Sequence, residues 1–311
     1  MKIALFGGSF NPVHNGHIKA AELVLKHTDC KEVWFLPCHL HPFKKNKDFA
    51  PERERIEMLK IALKNMKRMR LSLFEIELGK KTGRESRTIE TVKEIKKKFP
   101  KHEFFWVIGS DLVREIKKWG SFEKLVREIR FVVVPVKGQK GWRKEAWLKQ
   151  NNAIVLPQST AVENISSRKI REKIRKGKTI AGLLPENVTE YILKKGLYFE
   201  KKQFSLKVFR LTMLVPKGKV STYGEIAKAL EKPKSSRAVG NCLNKNPFAP
   251  IVPCHRIVKS DSSLGGFFEG LKKKKKLLES EGIRLKNCKI ENCNKLIVKA
   301  ERLRKPTFSH K

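Results

Sequence analysis

Two short segments of this chain gather side chains that do chemistry. The first is Gly7-Gly8-Ser9-Phe10-Asn11-Pro12-Val13-His14-Asn15-Gly16-His17, where two glycines close an apolar run and two histidines follow, three residues apart. Glycine lets a backbone approach a phosphate, and the free N–H groups of a helix start favour anions. At that spacing His14 and His17 share one helix face. Imidazoles placed there can donate hydrogen bonds to triphosphate oxygens. By spacing alone the pair is equally open to a metal site or a plain surface pair. The second segment is Pro253-Cys254-His255-Arg256. A thiol becomes a nucleophile when it loses its proton, so a base beside it matters. A buried structural cysteine is the competing reading.

Elements must hold these residues in place. Residues 3–6 read as a short buried strand ended by Gly7-Gly8, and a helical pattern follows through Ile18, Ala21, Leu23 and Leu25. Further strands are expected at Val33–Leu36, Phe104–Ile108, Phe131–Val136 and Ile154–Leu156. Helices are expected at about 52–66, at 88–98, around Phe122–Val126 and from Ser166-Ser167 onward. Strand and helix alternate, which predicts a doubly wound, mainly parallel α/β sheet. In such sheets ligands bind at the carboxyl ends of strands, where Gly7-Gly8 and Gly109 fall. From about residue 203 the texture changes to helical segments at 203–215, 223–231 and 235–244, joined by basic turns with Pro216, Gly218 and Pro233.

Lys and Arg number 70 against 31 Asp and Glu, a net charge of +39. That excess attracts polyanions (nucleic acid, nucleotides or anionic membrane), although a Lys-rich composition is also a thermophilic habit. Residues 201–311 hold 27 basic and 8 acidic side chains, so a phosphate-backbone surface is expected there. The run Lys272–Lys276 reads most plainly as a solvated helix face, with phosphate contact as the lesser reading. Six cysteines at irregular spacing, with no signal peptide read at the start, point to a reduced, cytoplasmic protein. No apolar run approaches the ~20 residues of a membrane span, so no membrane partner is expected. Cys30, Cys38, His39 and His41 fit no common zinc spacing, and no metal site is expected of the protein itself.

The glycine–histidine segment closely resembles the signature of the HxGH nucleotidyltransferase superfamily. The order of further motifs, over about residues 1–200, is similar to the nicotinate-mononucleotide adenylyltransferase branch. The resemblance implies a Rossmann-like nucleotidyltransferase sheet that joins ATP to nicotinate mononucleotide and releases pyrophosphate, with Mg²⁺ bridging the triphosphate. It implies catalytic roles for His14 and His17. ATP and its phosphates fall to Gly7, Gly8, Ser9, Phe10, Lys44, Ser166, Ser167 and Arg171. The last three lie in Ile165-Ser166-Ser167-Arg168-Lys169-Ile170-Arg171, similar to the superfamily's second motif, with Arg168 where Ser or Thr is more usual. Gly109, Ser110 and Asp111 are assigned to a nucleotide and ribose loop, and Thr88 and Trp119 to the pyridine pocket. Lys44 closes His41-Pro42-Phe43-Lys44, where the family usually has Pro-Pro-His-Lys.

In the last third, Val220-Ser221-Thr222-Tyr223-Gly224-Glu225, Arg237-Ala238-Val239-Gly240-Asn241, Asn246-Pro247, Pro253-Cys254-His255-Arg256, Leu264-Gly265-Gly266-Phe267 and Leu277-Leu278-Glu279-Ser280-Glu281-Gly282 occur in order. This set resembles the catalytic domain of the methylated-DNA–protein-cysteine methyltransferases, over about 203–286. The resemblance implies a mainly α, winged helix-turn-helix-like domain. It would bind double-stranded DNA containing alkylated guanine, with the base flipped out, and take the alkyl group of 6-O-alkylguanine onto Cys254. His255 would act through water as the base and Glu281 would orient it. Tyr223, Arg237, Ala238, Gly240, Asn246, Val252, Pro253, Arg256 and Phe267 are assigned to DNA or the base. Glu269 stands where the family often has a small residue, which implies a narrower pocket or a charge facing DNA.

The expected organisation is therefore 1–200 nucleotidyltransferase, 203–286 DNA alkyltransferase and 287–311 a basic extension. Two alternatives stay open. The first half could use another acceptor, such as nicotinamide mononucleotide or phosphopantetheine. The second could bind lesions without transfer.

Overall fold

The computed structural model describes residues 1–39, 49–83, 87–199 and 203–304. It divides into two units: Met1–Lys169 with Leu183–Val188, and Ile170–Gly182 with Thr189–Lys311.

The first unit alternates strand and helix. In chain order it holds β1 (Lys2–Gly8), α1 (Asn15–His27), β2 (Glu32–Pro37), α2 (Glu52–Leu63), β3 (Met69–Leu71), α3 (Phe74–Thr82), α4 (Thr88–Lys98), β4 (Glu103–Gly109), α5 (Phe122–Glu128), β5 (Arg130–Val134), α6 (Ala146–Gln150) and β6 (Ile154–Val155). The six strands form one parallel sheet in the order β3-β2-β1-β4-β5-β6. Strands covered on both faces read as unbroken apolar runs, and Phe104–Ile108 and Phe131–Val134 do so. Trp106, Phe131, Val133, Ile116, Leu125 and Trp147 pack one face of this core. Each such side chain withdrawn from water contributes roughly 2 kcal/mol before chain entropy is counted. The order reverses direction at β1 and β4, so the carboxyl ends of these two strands flank the crevice where such sheets bind ligands. Three elements of this unit are absent from the sequence reading, β3, α3 and α6, and of these β3 and α6 are too short to show a period.

Helices α7 (Ser167–Lys176) and α8 (Glu186–Lys195) cross the division between units. The second unit continues with α9 (Gln203–Met213), β7 (Ser221–Thr222), α10 (Tyr223–Ala229), α11 (Ser236–Asn244), β8 (Ile257–Val258), α12 (Leu271–Ser280), β9 (Leu285–Lys286), β10 (Lys289–Ile290), α13 (Cys293–Leu296) and α14 (Ala300–Arg304). A 3-10 turn at Pro233–Ser235 joins α10 to α11, which gives the helix-turn-helix shape. β7 pairs with β8 in parallel and β9 with β10 antiparallel.

The stretch from Asn287, read as a weakly patterned extension, is folded as far as Arg304. Ile290 and Cys293 belong to the same core as Val220, Val258, Leu264 and Leu278. The Val298 amide donates to the Val220 carbonyl at 2.7 Å, and the Ser221 hydroxyl donates to the Val298 carbonyl at 2.7 Å. Its apolar residues are shared among a hairpin and two short helices, so no single period marks them in the sequence. Among the described residues no helix is long and apolar enough to cross a membrane.

Candidate functional sites

The first site forms where β1 gives way to α1. His14 caps α1, and its Nδ1 accepts from the His17 amide at 3.3 Å. In return His17 Nδ1 accepts from the His14 amide at 3.2 Å. The two rings stack, 3.5 Å between centroids and 18° between planes. A reciprocal cap of this kind satisfies two orphan donors of the helix start. It also fixes the tautomer: with each Nδ1 accepting, the proton of a neutral ring sits on Nε2, as a donor. Burial pushes His14 down to about 3. Burial and the neighbouring His14 ring hold His17 well below the ordinary imidazole range. The pair is therefore two aligned, neutral donors.

Gly16 leaves room for that stack, because a Cβ there would stand 3.1 Å from His14 Nδ1, tighter than an ordinary contact. Gly7 has a packing reason: a Cβ would meet the Trp106 ring at 2.4 Å. Phe10 is buried, and its ring packs edge-on against His17 at 5.0 Å. Its backbone takes a left-handed φ of 44°, which turns the chain sharply after Ser9.

Arg55, which the sequence gave no role, is buried on α2. Its guanidinium donates to the carbonyl of Ser9 at 2.9 Å, of Cys38 at 2.8 Å and of His39 at 3.3 Å. It thus ties the loop after β1 to the end of β2. A cation four residues before Leu59 on an otherwise apolar helix face was the only available signal. Glu52, on the same helix, accepts from Lys80 at 2.8 Å and pairs with His39 at 2.6 Å. Lys44, with His41, Pro42 and Phe43, lies outside the described residues.

Gly109 ends β4. A Cβ there would meet Asp111 Oδ1 at 2.3 Å, so the glycine lets the Asp111 carboxylate fold back over the strand end. Ser110 is buried, and its Oγ accepts from the Val136 amide at 2.9 Å. Thr88 opens α4, and Trp119 follows the 3-10 turn Glu115–Lys118. Both are half-buried and lie toward the carboxyl edge of the sheet, because α4 leads into β4 and Trp119 lies in the connection that leaves it. Ser166 precedes α7 and Ser167 begins it. The Ser167 hydroxyl donates to the Pro12 carbonyl at 2.9 Å, so what it has left for an anion is its backbone N–H. Arg171 is buried one turn further along the helix.

The second site lies wholly in the second unit. A cavity of about 680 Å³ is lined by Tyr223, Arg237, Gly240, Cys254, Gly265 and Phe267, among others. Arg237 and Ala238 are exposed at the start of α11. Cys254 is buried, at 4% exposure, in a 3-10 turn formed by Cys254–Arg256. Asn246 Nδ2 donates to Cys254 Sγ at 3.4 Å and to the Val252 carbonyl at 3.0 Å. Burial pushes the Cys254 thiol above its ordinary value, against the opposing pull of Asn246 and Lys274. Val252 and Pro253, assigned to the base pocket, are buried away from the cavity lining. The Val252 carbonyl is engaged by Asn246 and by the Cys254 amide at 2.8 Å.

His255 Nε2 meets Glu281 Oε1 at 3.0 Å. A carboxylate on Nε2 puts the proton there and leaves Nδ1 as the basic nitrogen. Burial holds His255 below its ordinary value, and Glu281 opposes it. Arg256 was placed with the DNA-contacting residues. Instead its guanidinium clamps Glu281, with Nε 2.9 Å from Oε2 and Nη2 2.8 Å from Oε1, while Nη1 donates to the Val215 carbonyl at 2.8 Å. A buried carboxylate needs such a counter-charge. Burial pushes Glu281 up, but the bonds from Arg256 and His255 outweigh it and hold the group ionised.

The charge run on α12 divides by face. Lys274 is fully buried, whereas Lys272, Lys273, Lys275 and Lys276 are exposed. Its Nζ donates to the Ile257 carbonyl at 2.6 Å and lies 6.0 Å from the centre of the Tyr223 ring. Burial pushes Lys274 down to about 8, with Cys254 near enough to oppose it. Burial and the same sulfur push the Tyr223 hydroxyl up. The helical period of α12, with Leu278 one turn on and buried, was the signal that Lys274 faces inward.

Comparison with known proteins matches two stretches of the chain to two different families. A family model described as cytidylyltransferase-like matches residues 5–173, and one for the DNA-binding domain of 6-O-methylguanine DNA methyltransferase matches 203–283. A probable nicotinate-nucleotide adenylyltransferase of Methylacidiphilum infernorum is 34% identical over 201 residues, 65% of this chain and 94% of that protein. The nicotinate-nucleotide adenylyltransferase of Bacillus subtilis is 32% identical, over 63% of this chain and 98% of its own. A solved Plasmodium falciparum nicotinic acid mononucleotide adenylyltransferase shares the fold, with a TM-score of 0.54 at 24% identity over 63% of this chain and 97% of that one. Read with the stacked imidazoles and the buried thiol, these matches mean that the chain belongs to the nicotinate-nucleotide adenylyltransferase family and continues into a 6-O-methylguanine DNA methyltransferase DNA-binding domain.

Proposed function

We propose that the first unit transfers the adenylyl group of ATP to nicotinate mononucleotide. The stacked pair of neutral Nε2–H donors carries this reading. The mononucleotide phosphate attacks the α-phosphorus in line; the new P–O bond forms as the bond to pyrophosphate breaks. Such a reaction needs position and positive potential more than covalent help. His14 and His17 donate to phosphate oxygens on which charge grows, and the amides at the start of α7 take the rest. Among the described residues no three His, Cys, Asp or Glu side chains are grouped as a metal site requires. Mg²⁺ would arrive on the triphosphate as part of the substrate, held mainly by phosphate oxygens and water.

We further propose that the second unit removes the alkyl group from 6-O-alkylguanine in DNA. The network Cys254–Asn246 and His255–Glu281–Arg256 supports it. His255 Nδ1 takes the thiol proton through a water molecule. The sulfur bonds to the alkyl carbon, the carbon–oxygen bond breaks, and the guanine leaves with a returned proton. The thioether has no route back, so each chain reacts once. Arg237 fills the gap left by the flipped base, and the exposed start of α11 enters the minor groove.

One pair of assays tests both. Pyrophosphate release is measured with ATP and nicotinate mononucleotide, nicotinamide mononucleotide or phosphopantetheine in turn; the nicotinate compound is expected to react fastest. Intact-protein mass is measured after incubation with methylated duplex; a gain of one methyl on the Cys254 peptide is expected, and none in Cys254→Ser. Duplex binding without that gain would mean a lesion-binding module.

A further inference from the structure

Gly177, Ile180 and Phe199 precede the methyltransferase-like stretch, yet they pack on its loop at residues 245–248, whose Asn246 meets Cys254. The Ile180 amide donates to the Pro247 carbonyl at 2.9 Å. Gly177, at a left-handed φ of 63°, lies so close to this loop that a Cβ would stand 2.7 Å from the Lys245 carbonyl oxygen. Phe199 stacks on Phe248, 5.6 Å between centroids and 29° between planes, and meets Phe209 of α9 at 6.4 Å. The Arg210 Nε donates to the Leu193 carbonyl at 3.0 Å, which fixes α8 to α9. Lys245, Pro247 and Phe248 surround Asn246, whose Oδ1 accepts from the Phe248 amide at 3.0 Å while its Nδ2 reaches Cys254 Sγ at 3.4 Å.

We propose that residues 177–182 and 189–199, in the same unit as Cys254, are a positioning platform for it: Ile180 and Phe199 fix the Asn246–Phe248 loop, and the loop aims the Asn246 amide at the sulfur. This rests on Cys254 as the alkyl acceptor. A side-chain amide donates usefully only over a narrow range of distance and angle, so a loop displaced by a fraction of an ångström loses the bond. The methyltransferase-like stretch from residue 203 therefore depends on sequence that precedes it. Asn246 acts on sulfur directly, whereas Ile180 and Phe199 act through it and are positioning residues.

The test uses the full chain carrying Phe199→Ala, Phe199→Tyr or Gly177→Ala. Single-turnover methyl transfer from a duplex containing 6-O-methylguanine is followed by intact mass. The pH profile of Cys254 alkylation by iodoacetamide is recorded beside it, with thermal melting, affinity for unmodified duplex and pyrophosphate release. Phe199→Ala and Gly177→Ala are expected to slow transfer about tenfold. They should also move the iodoacetamide profile to higher pH, because the sulfur loses a donor. Duplex affinity and pyrophosphate release should be unchanged, and Phe199→Tyr should restore both rate and profile. Wild-type rates and profiles in both variants overturn the platform. So does a slowing that merely parallels lost melting temperature and lost duplex affinity. A wild-type chain that transfers no methyl group refutes Cys254 as acceptor instead, and the iodoacetamide profiles then still decide the platform.

Discussion

Both sites use buried histidine, and their surroundings assign it opposite work. His14 and His17 face each other with backbone amides on both Nδ1 atoms, so the fold fixes them as neutral donors. His255 has Glu281 on one nitrogen, and Arg256 keeps that carboxylate ionised, so the ring is oriented as a base. One arrangement leaves an N–H free to donate; the other leaves an unprotonated nitrogen free to accept. The side chain does not decide which. The group on its second nitrogen does.

The comparison can be broken most sharply at His17. His17→Ala removes a donor from the reacting phosphates and should lower kcat for pyrophosphate release by ~10²-fold or more with little change in KM. Steady-state kinetics check it, and unchanged turnover would remove His17 from the chemistry. Methyl transfer by the same variant should be untouched.

Glu281→Gln tests the other side. It leaves Arg256 without a counter-charge and His255 without a carboxylate. Methyl transfer should fall by ~10-fold or more, and the unit should lose about 2 kcal/mol in denaturant unfolding. The pH sense follows from the lowered carboxyl: the stabilisation is present above its unfolded value of about 4.3 and is lost as pH falls through the lower folded value. The variant should lose that acid-side dependence.

Lys274→Met removes the buried cation near the sulfur while keeping the shape. Iodoacetamide should label Cys254 at higher pH than in the parent, since a positive neighbour favours the thiolate. An unmoved profile would show that Lys274 only fills space and bonds the Ile257 carbonyl.

The last effect is read in stability alone, with His14→Asn, which keeps a good helix cap. His14 stays neutral in the folded state down to about 3, whereas unfolded it binds a proton near 6.5. Below about 6.5 the unfolded chain therefore holds more protons, and stability declines as pH drops toward about 3. Urea midpoints for the first unit, measured from pH 7 to 4, should decline less steeply in the variant.

Sequence alone made much of this legible. The apolar runs of β1, β4 and β5 are buried on both faces, so they stand out at any reading. The pair His14 and His17, and the neighbours Cys254 and His255, lie close along the chain, where spacing carries information. Glu281 was legible only through its motif, being 26 residues from His255. What the tertiary structure decided are facts of encounter between distant segments. Arg55 reaches the loops after β1 and β2; Trp106 occupies the space beside Gly7; Arg256 turns inward to Glu281. The tail folds onto Val220 and Ser221 across 77 residues. Periodicity reports what a residue's near neighbours in the chain are doing. Burial of a charge, and the partner that makes it tolerable, depend on residues that only folding brings within hydrogen-bond reach.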